Sequence, residues 1–178
     1  MSSVDLRNIT FSGKADFNDT VLKGVNLSGL NLSSFWHNSN TDFDEANMTG
    51  ANLAGLDFRS YELNGTDFRG TVGVATDLSN SSFINAKLGG AKFSKHTVFT
   101  GAVFNGASIR NASFVEANLV GVQFGDLPAQ TDLTDANMSG ADIRDANFTG
   151  ANLHGVDLRA SGSESVEVNA TTLFKNAS

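Results

Sequence analysis

Histidines and acidic residues are the side chains of this 178-residue sequence that most often carry acid-base or metal chemistry. The three histidines, His37, His96 and His154, share no common spacing, and no motif for catalysis contains them. The glycines match no phosphate-binding pattern, and the Gly-Gly-x-Gly-x-Asp repeat of calcium-binding solenoids is absent. The lack of cysteine excludes a thiol nucleophile, a thiolate metal site and a disulfide framework. We therefore predict that the chain is not an enzyme and holds no cofactor or metal.

A large apolar residue recurs at every fifth position through most of the chain, without a miss from Leu133 to Leu158. A helix does not explain this period, because successive apolar positions would advance about 500 degrees at ~100 degrees per residue and spiral around its surface. We call the recurring residue position i and expect it to point inward. The predicted core column is Phe43, Met48, Leu53, Phe58, Leu63, Phe68, Leu78, Phe83, Leu88, Phe93, Phe99, Phe104, Ile109, Phe114, Leu119, Phe124, Leu133, Met138, Ile143, Phe148, Leu153 and Leu158.

The positions around i complete a five-residue unit. The residue two before i is small, usually Ala, the residue one before is usually Asp or Asn, and the residue two after is often Gly. In an extended stretch residues two apart share a face, so the small residue and i point inward while Asp or Asn points outward. The next two residues turn the chain through a corner. Repeated units are therefore predicted to form a coil whose sides pair with the next coil ~4.8 Å away.

This unit resembles the motif of the pentapeptide repeat family, [Ala/Val]-[Asp/Asn]-[Leu/Phe]-x-[Gly], over roughly residues 4 to 160. The resemblance implies an all-β fold: a right-handed quadrilateral β-helix with about four pentapeptides per coil and about eight coils. We expect residues 1–160 to form this solenoid. Residues 161–178 lose the motif and are expected to cap the last coil or to pair its edge with a second copy. An exposed solenoid end carries unpaired backbone groups that readily associate with other chains.

A break in the spacing at 35–40 contains the only tryptophan. Strict register would point His37 inward and Trp36 outward. An exposed tryptophan there could anchor a partner, and the alternative is that Phe35 and Trp36 cover a coil edge.

Two further breaks follow. At 72–74 the expected position i is Gly73, which predicts a gap in the column or a close backbone approach. At 125–130, which contains the only proline, a short loop with Leu127 turned inward is expected. A specific role is expected at these breaks, in the tail or in the charged bands of the surface.

The net charge of −7 is unevenly distributed. Residues 1–78 hold 10 acids and 5 bases (−5), residues 79–125 hold 1 acid and 4 bases (+3), and residues 126–178 hold 8 acids and 3 bases (−5). This balance argues against general binding to nucleic acid or an anionic membrane.

Stacked coils would bring some of these charges together. At a 20-residue coil spacing, Asp57 would lie on Asp77 and Asp42 on Glu62, and these like-charge contacts oppose folding modestly. The same spacing would pair Asp67 with Lys87 and Arg144 with Glu164. Acids kept in spite of repulsion could serve a basic partner or only solubility. The candidate partner surface comprises Trp36, His37, Asp42, Asp57, Glu62, Asp77, Asp132, Asp142 and Asp157.

Two functions from different classes fit these features. The first is a non-enzymatic structural or protein-interaction solenoid with an unidentified protein partner. The second comes from the resemblance: some pentapeptide repeat proteins mimic duplex DNA, occupy the DNA-binding saddle of type II topoisomerases such as gyrase, and confer quinolone resistance. No signal peptide or membrane-spanning segment is seen, so a cytoplasmic protein is expected, with a homodimer through the C-terminal end as one further expectation.

Overall fold

The computed structural model describes residue 6 and residues 16–33, 35, 37–38, 40–59, 61–70, 73, 75–125 and 130–178. Along these residues the chain alternates between turns and single-residue β-bridges to neighbouring coils. Two short strands are long enough to be numbered: β1, Thr76–Asp77, and β2, Thr97–Val98. The two strands pair in parallel, with Thr76 opposite Thr97 and Asp77 opposite Val98. The described part of the chain contains no helix long and apolar enough to cross a membrane.

Parallel bridges join successive coils and show how many residues close one coil. Asp132 pairs with Asn152, and Asn137 pairs with Asp157, each 20 residues further along the chain. Backbone hydrogen bonds run both ways across such a contact: Met138 N donates to Asp157 O at 2.8 Å, and Asp157 N donates to Ala136 O at 2.9 Å. Because each unit has five residues, four units close such a coil and give it four sides.

The inward residues form a continuous apolar core. All members of the predicted column from Phe43 to Phe148 are at most 3% exposed. On one side the phenylalanine rings stack nearly parallel from coil to coil, with centroids 4.7 to 5.3 Å apart and interplanar angles of at most 19°. This ring stack consists of Phe58, Phe83, Phe104, Phe124, Phe148 and Phe174. Burial of each of the first five rings stabilises the fold by roughly 1.5 to 3 kcal/mol, and the ring contacts add to this.

Polar side chains that face the core are satisfied by backbone carbonyls. Thr66 Oγ1 donates to Phe43 O at 3.0 Å, and Thr97 Oγ1 donates to Phe68 O at 2.8 Å. Both threonines occupy the small inward position of their units. The hydroxyl therefore avoids the cost of burying an unpaired polar group.

The end of the predicted column differs from the rest. Leu158 is 44% exposed and Leu153 is only partly buried. The expectation that Leu158 lies in the core is wrong, because after Asp157 the next residue that forms a parallel bridge with an earlier coil is Glu167, which lies on the following side. No later coil therefore covers the side that carries Leu158.

Gly73 is not part of the column. Asn52 pairs with Asp77 and Glu62 pairs with Lys87, each 25 residues apart, so one whole unit is extra in this coil. Gly73 is exposed and has φ +81, and Leu78 takes the next inward position. The expected gap in the column does not occur, because Leu78 follows Phe68 in the buried column. Residues 72 and 74 of this break lie outside the described residues.

Extra residues recur at one corner of the solenoid. We call it the insertion corner, and its described residues are 69–70, 73, 75–76, 94–97 and 159–166. Bridged residues on its two flanking sides are ten apart from Asp67 to Asp77, and ten apart again from Asp157 to Glu167. A different corner holds the break at 125–130: Ser108 pairs with Asp132, 24 residues on. The predicted inward position of Leu127 lies outside the described residues.

Candidate interaction surface

His37 packs inside the solenoid. Its ring stacks on Phe58 with centroids 5.4 Å apart, and its Nδ1 lies 2.6 Å from the Tyr61 hydroxyl. Burial lowers the pKa of His37, although the nearby Asp57 carboxylate acts in the opposite direction. Burial also raises the pKa of Tyr61, and Asp57 adds to that rise. His37 and Tyr61 therefore form a hydrogen bond between two neutral, partly buried side chains, which is a structural contact. Trp36 lies outside the described residues.

The other two histidines lie elsewhere. His96 is half-buried at the insertion corner, where its backbone N–H donates to Ser94 Oγ at 3.3 Å, and His154 is exposed. Within the described ranges, no group of three or more His, Asp or Glu residues could hold a metal ion.

Most of the predicted surface acids pair with a cation of the same chain. Asp57 contacts Arg59 at 2.9 Å, Asp142 contacts Arg144 at 2.6 Å and Asp157 contacts Arg159 at 2.7 Å. In each pair the arginine follows two residues after the aspartate, so both side chains leave the same face. The hydrogen bond from Arg144 lowers the pKa of Asp142, and that from Arg159 lowers the pKa of Asp157 to about 2.

Two further surface acids pair across coils: Asp132 contacts Arg110 at 3.0 Å, and Glu62 contacts Lys87 at 2.5 Å. These contacts place cations among the acids. The negative charge of the surface is therefore interrupted at short intervals.

The predicted charge stacking is correct at only one place. Asp42 lies beside Glu62, since Phe43 N donates to Glu62 O at 3.4 Å. Asp57 pairs with Ser82 and not with Asp77, because the unit inserted at 71–75 shifts the partner by five residues.

The same shift corrects the predicted ion pairs. Asp67 lies opposite Lys92 and pairs with Arg69 at 2.6 Å, and Lys87 pairs instead with Glu62. Arg144 pairs with Asp142, and its predicted partner Glu164 forms an antiparallel bridge with Ser161.

The outward Asp and Asn side chains also form hydrogen bonds with the backbone of the corners that follow them. Asp132 Oδ1 accepts a hydrogen bond from Thr134 N at 3.0 Å, and Asn147 Oδ1 accepts one from Thr149 N at 2.9 Å. Such bonds form at the start of many corners and confirm that Asp and Asn share one local role there. These side chains are structural in the first place.

A groove interrupts the flat surface on one side, which we call the groove face. Its outward residues are Asn52, Asp77, Val98, Asn118, Asp142 and Glu167. Two depressions of about 340 Å³ each adjoin there and share Lys95 and Asn118. One is lined by Val98 and Val120 among others, and the other by Glu116, Asp142, Glu164 and Glu167.

Val98, Val120, Glu164 and Glu167 are absent from the surface residues that the sequence predicts. The sequence indicates that both valines point outward. Val98 occupies the outward position that Asp or Asn usually takes, and Val120 follows directly after an inward leucine. The position of Glu164 had no such signal, because it depends on the path of the non-repetitive tail.

The family model for pentapeptide repeats matches eight copies at residues 39–60, 62–95, 95–126 and 129–161. The chain therefore belongs to the pentapeptide repeat family. Among solved structures it is similar to the pentapeptide repeat protein Rfr23 of the cyanobacterium Cyanothece 51142, with a TM-score of 0.53 and 19% identity over 71% of this chain and 90% of that one. This likeness shows the fold, a right-handed β-helix.

Two other solved relatives are more distant in structure. HetL, a pentapeptide repeat protein of Nostoc sp. strain PCC 7120 involved in heterocyst differentiation regulation, has a TM-score of 0.34 and 24% identity over 99% of this chain and 66% of its own. A trypsin-treated variant of QnrB1, a plasmid-mediated fluoroquinolone resistance protein, has a TM-score of 0.44 and 17% identity over 99% of this chain and 91% of its own. Among curated protein sequences, none matches this chain significantly.

Proposed function

We propose that this chain is a non-enzymatic protein-interaction solenoid of about eight four-sided coils, with residues 161–178 closing its C-terminal end. The observation that carries the proposal is the concentration of extra residues at the insertion corner, beside the groove face. In repeat proteins, insertions that gather on one face often form the binding surface. The ion-paired acids and the packed His37 are used in local structure, so the proposal rests on the insertion corner and the groove face and not on these side chains.

The test is photo-crosslinking from each side of one coil in a lysate of the source organism. A photoreactive residue is placed in turn at Ser108, Ser113, Asn118 and Gln123, which are the outward residues of four successive units. We expect one protein to be captured in stoichiometric amount from one or two sides only. Capture of nothing specific from any of the four sides would count against an interaction module.

Mimicry of duplex DNA toward gyrase is the alternative, and the ion pairs do not favour it. A duplex mimic needs a continuous negative surface, whereas Arg59, Arg110, Arg144 and Arg159 lie within salt-bridge distance of its acids. In a gyrase supercoiling assay, with and without a fluoroquinolone, we expect neither inhibition nor protection at about micromolar protein. Either effect would restore the alternative.

The C-terminal end is a second surface that we propose to take part in association, here with a second copy of the chain. Leu158, Val168, Leu173 and Phe174 are 44%, 57%, 48% and 42% exposed there. A two-fold contact would cover these side chains on both copies at once. Light scattering at increasing concentration should show a dimer that Phe174→Ser weakens, and a strict monomer would exclude it.

A further inference from the structure

We propose that the groove face binds an extended segment of a partner protein that presents a large apolar side chain and, three or four positions away, a lysine or arginine. This inference rests on the proposed function and names the partner's chemistry. It is built on three features: the two adjoining depressions, the wall that the insertion corner forms beside them, and the contrast between an apolar depression and an acidic one.

The wall of the groove is held by contacts between the tail and the earlier coils. Ser161 and Glu164 exchange backbone hydrogen bonds of 2.7 and 2.9 Å, which closes a turn. Ser161 Oγ also donates to Glu116 Oε1 at 3.1 Å, and Lys95 Nζ lies 3.4 Å from the other oxygen of Glu116. The turn lies so close to Gly140 that an added Cβ there would be 2.9 Å from Ser161 Cβ. The turn therefore has a fixed position beside the groove.

The apolar half of the groove is unusual for the middle of this rod. Val98 and Val120 are 37% and 39% exposed. The other exposed large apolar side chains of the described part lie near its ends, at Val21 and among the C-terminal residues. A pair of exposed valines in a depression, far from either end, is the kind of surface that an apolar partner side chain covers.

The charged half is negative and incompletely paired. Glu116, Asp142, Glu164 and Glu167 face one cation, Lys95, so the lining carries four negative charges and one positive, a net −3. Lys95 is paired with Glu116, and Asp142 with Arg144, whose positive charge also interacts with Glu167. Glu164 and Glu167 have no salt bridge within the described ranges, and their side chains accept from Ser163 at 3.4 Å and Ser165 at 3.2 Å. A partner cation would complement these two carboxylates.

The coil spacing sets the distance between the two features that the partner must present. Lys92 pairs with Ser113 and Val103 with Gln123, which places Val98 one coil before Asn118. Asn118 pairs with Asp142 and Asp142 with Glu167, so the carboxylates lie two to three coils beyond the valines. At ~4.8 Å per coil this is roughly 10 to 14 Å, or three to four residues of an extended chain at ~3.3 Å each.

The experiment is selection of a random short-peptide display library on the immobilised full chain at about 150 mM salt. We expect enriched sequences to carry a large apolar residue and a Lys or Arg three or four positions apart. The enriched peptide is then labelled with fluorescein, and its Kd is measured by anisotropy. An enriched set without this spacing, or no enriched set at all, would overturn the proposal.

Variants locate the site. Val120→Lys and the double variant Glu164→Gln/Glu167→Gln should each weaken the peptide by about tenfold or more. The matched controls are Val21→Lys, at an exposed valine on another side, and Glu45→Gln/Glu62→Gln, which removes the same charge elsewhere. The controls should change Kd by less than about twofold. Thermal melting of each variant checks that the fold is kept, and equal losses in groove and control variants would overturn the proposal.

The outcomes separate this proposal from the proposed function. Peptides or crosslinked partners that map to another side would exclude the groove and leave an interaction module in place. If Val120→Lys abolishes self-association, the occupant is a second copy and the proposed peptide chemistry is wrong. Absence of binding in both the crosslinking and the display experiments would count against both proposals.

Discussion

The ring stack and the insertion corner lie on different parts of the same coils and follow opposite rules. In the ring stack six successive coils each contribute one phenylalanine, and neighbouring centroids stay within 4.7 to 5.3 Å. At the insertion corner the chain adds five residues before Asp77, one before Val98 and five before Glu167. Regular spacing therefore keeps the core packed, and irregular spacing at the corner changes the surface without disturbing the core.

The largest expected effect comes from breaking the ring stack. Phe83 is fully buried and its ring stacks on Phe58 at 5.2 Å and on Phe104 at 4.7 Å. We expect Phe83→Asp to abolish folding, because loss of the ring alone costs about 3 to 5 kcal/mol and a buried unpaired carboxylate adds to this. The control is Val98→Asp at a 37% exposed position, which should remain folded by circular dichroism. A folded Phe83→Asp variant would refute the inward assignment.

Removal of residues 162–178 tests the point where the stack meets the irregular tail. Phe174 stacks on Phe148 at 5.3 Å, and Phe148 N donates to Leu173 O at 2.8 Å. The truncation should lower the free energy of unfolding by about 3 kcal/mol and promote association, because it uncovers a ring and an unpaired coil edge. Val168→Ser, at a 57% exposed position, should change stability by less than about 0.5 kcal/mol. An equally stable, soluble and monomeric truncated chain would show that the tail does not cap the solenoid.

A smaller effect is expected within the insertion corner itself. A Cβ added at Gly70 would lie 2.0 Å from the His96 carbonyl oxygen, whereas nothing lies within 4 Å of one added at Gly73. Gly70→Ala should therefore cost about 1 to 3 kcal/mol in urea unfolding. Gly73→Ala should cost about 1 kcal/mol or less, since only its φ of +81 opposes a side chain. Equal costs would mean that the extra unit is packed as tightly as the coils.

The smallest effect concerns the pH dependence of stability at His37, in the break at 35–40. The folded pKa of His37 lies below its ordinary 6.5, so the unfolded chain takes up the proton first as pH falls. The stability that neutral His37 contributes is complete above pH 6.5 and declines below it, until the folded pKa is passed. His37→Gln should remove this part of the decline in urea titrations between pH 7.5 and 5, and exposed His154→Gln should not. The same decline in the His37→Gln variant would contradict the assignment.

The inward positions could be predicted from the sequence because each depends only on its own five-residue unit. Phe43 to Phe148 are buried, and the Asp and Asn side chains bond at their own corners, for the same local reason. Contacts between coils depend on the total length of chain between them. One inserted unit was enough to move the partner of Asp57 from Asp77 to Ser82.

The groove could not be predicted for the same reason. It brings Lys95, Asn118 and Glu164 together from three separated stretches, and the last belongs to a tail with no repeat. The exposure of Leu158 likewise depends on the side at which the last coil stops. Both features are properties of the path of the chain and not of any unit.

The exposed turn at Gly73 has a consequence for engineering and for divergence within such proteins. A coil already accommodates a complete extra unit there, while Phe68 and Leu78 on either side remain fully buried. Longer foreign sequences could be spliced in after Gly73 at little energetic cost, since loop closure grows only slowly with length. The solenoid would then work as a display frame that holds an unrelated peptide at a chosen height along its axis.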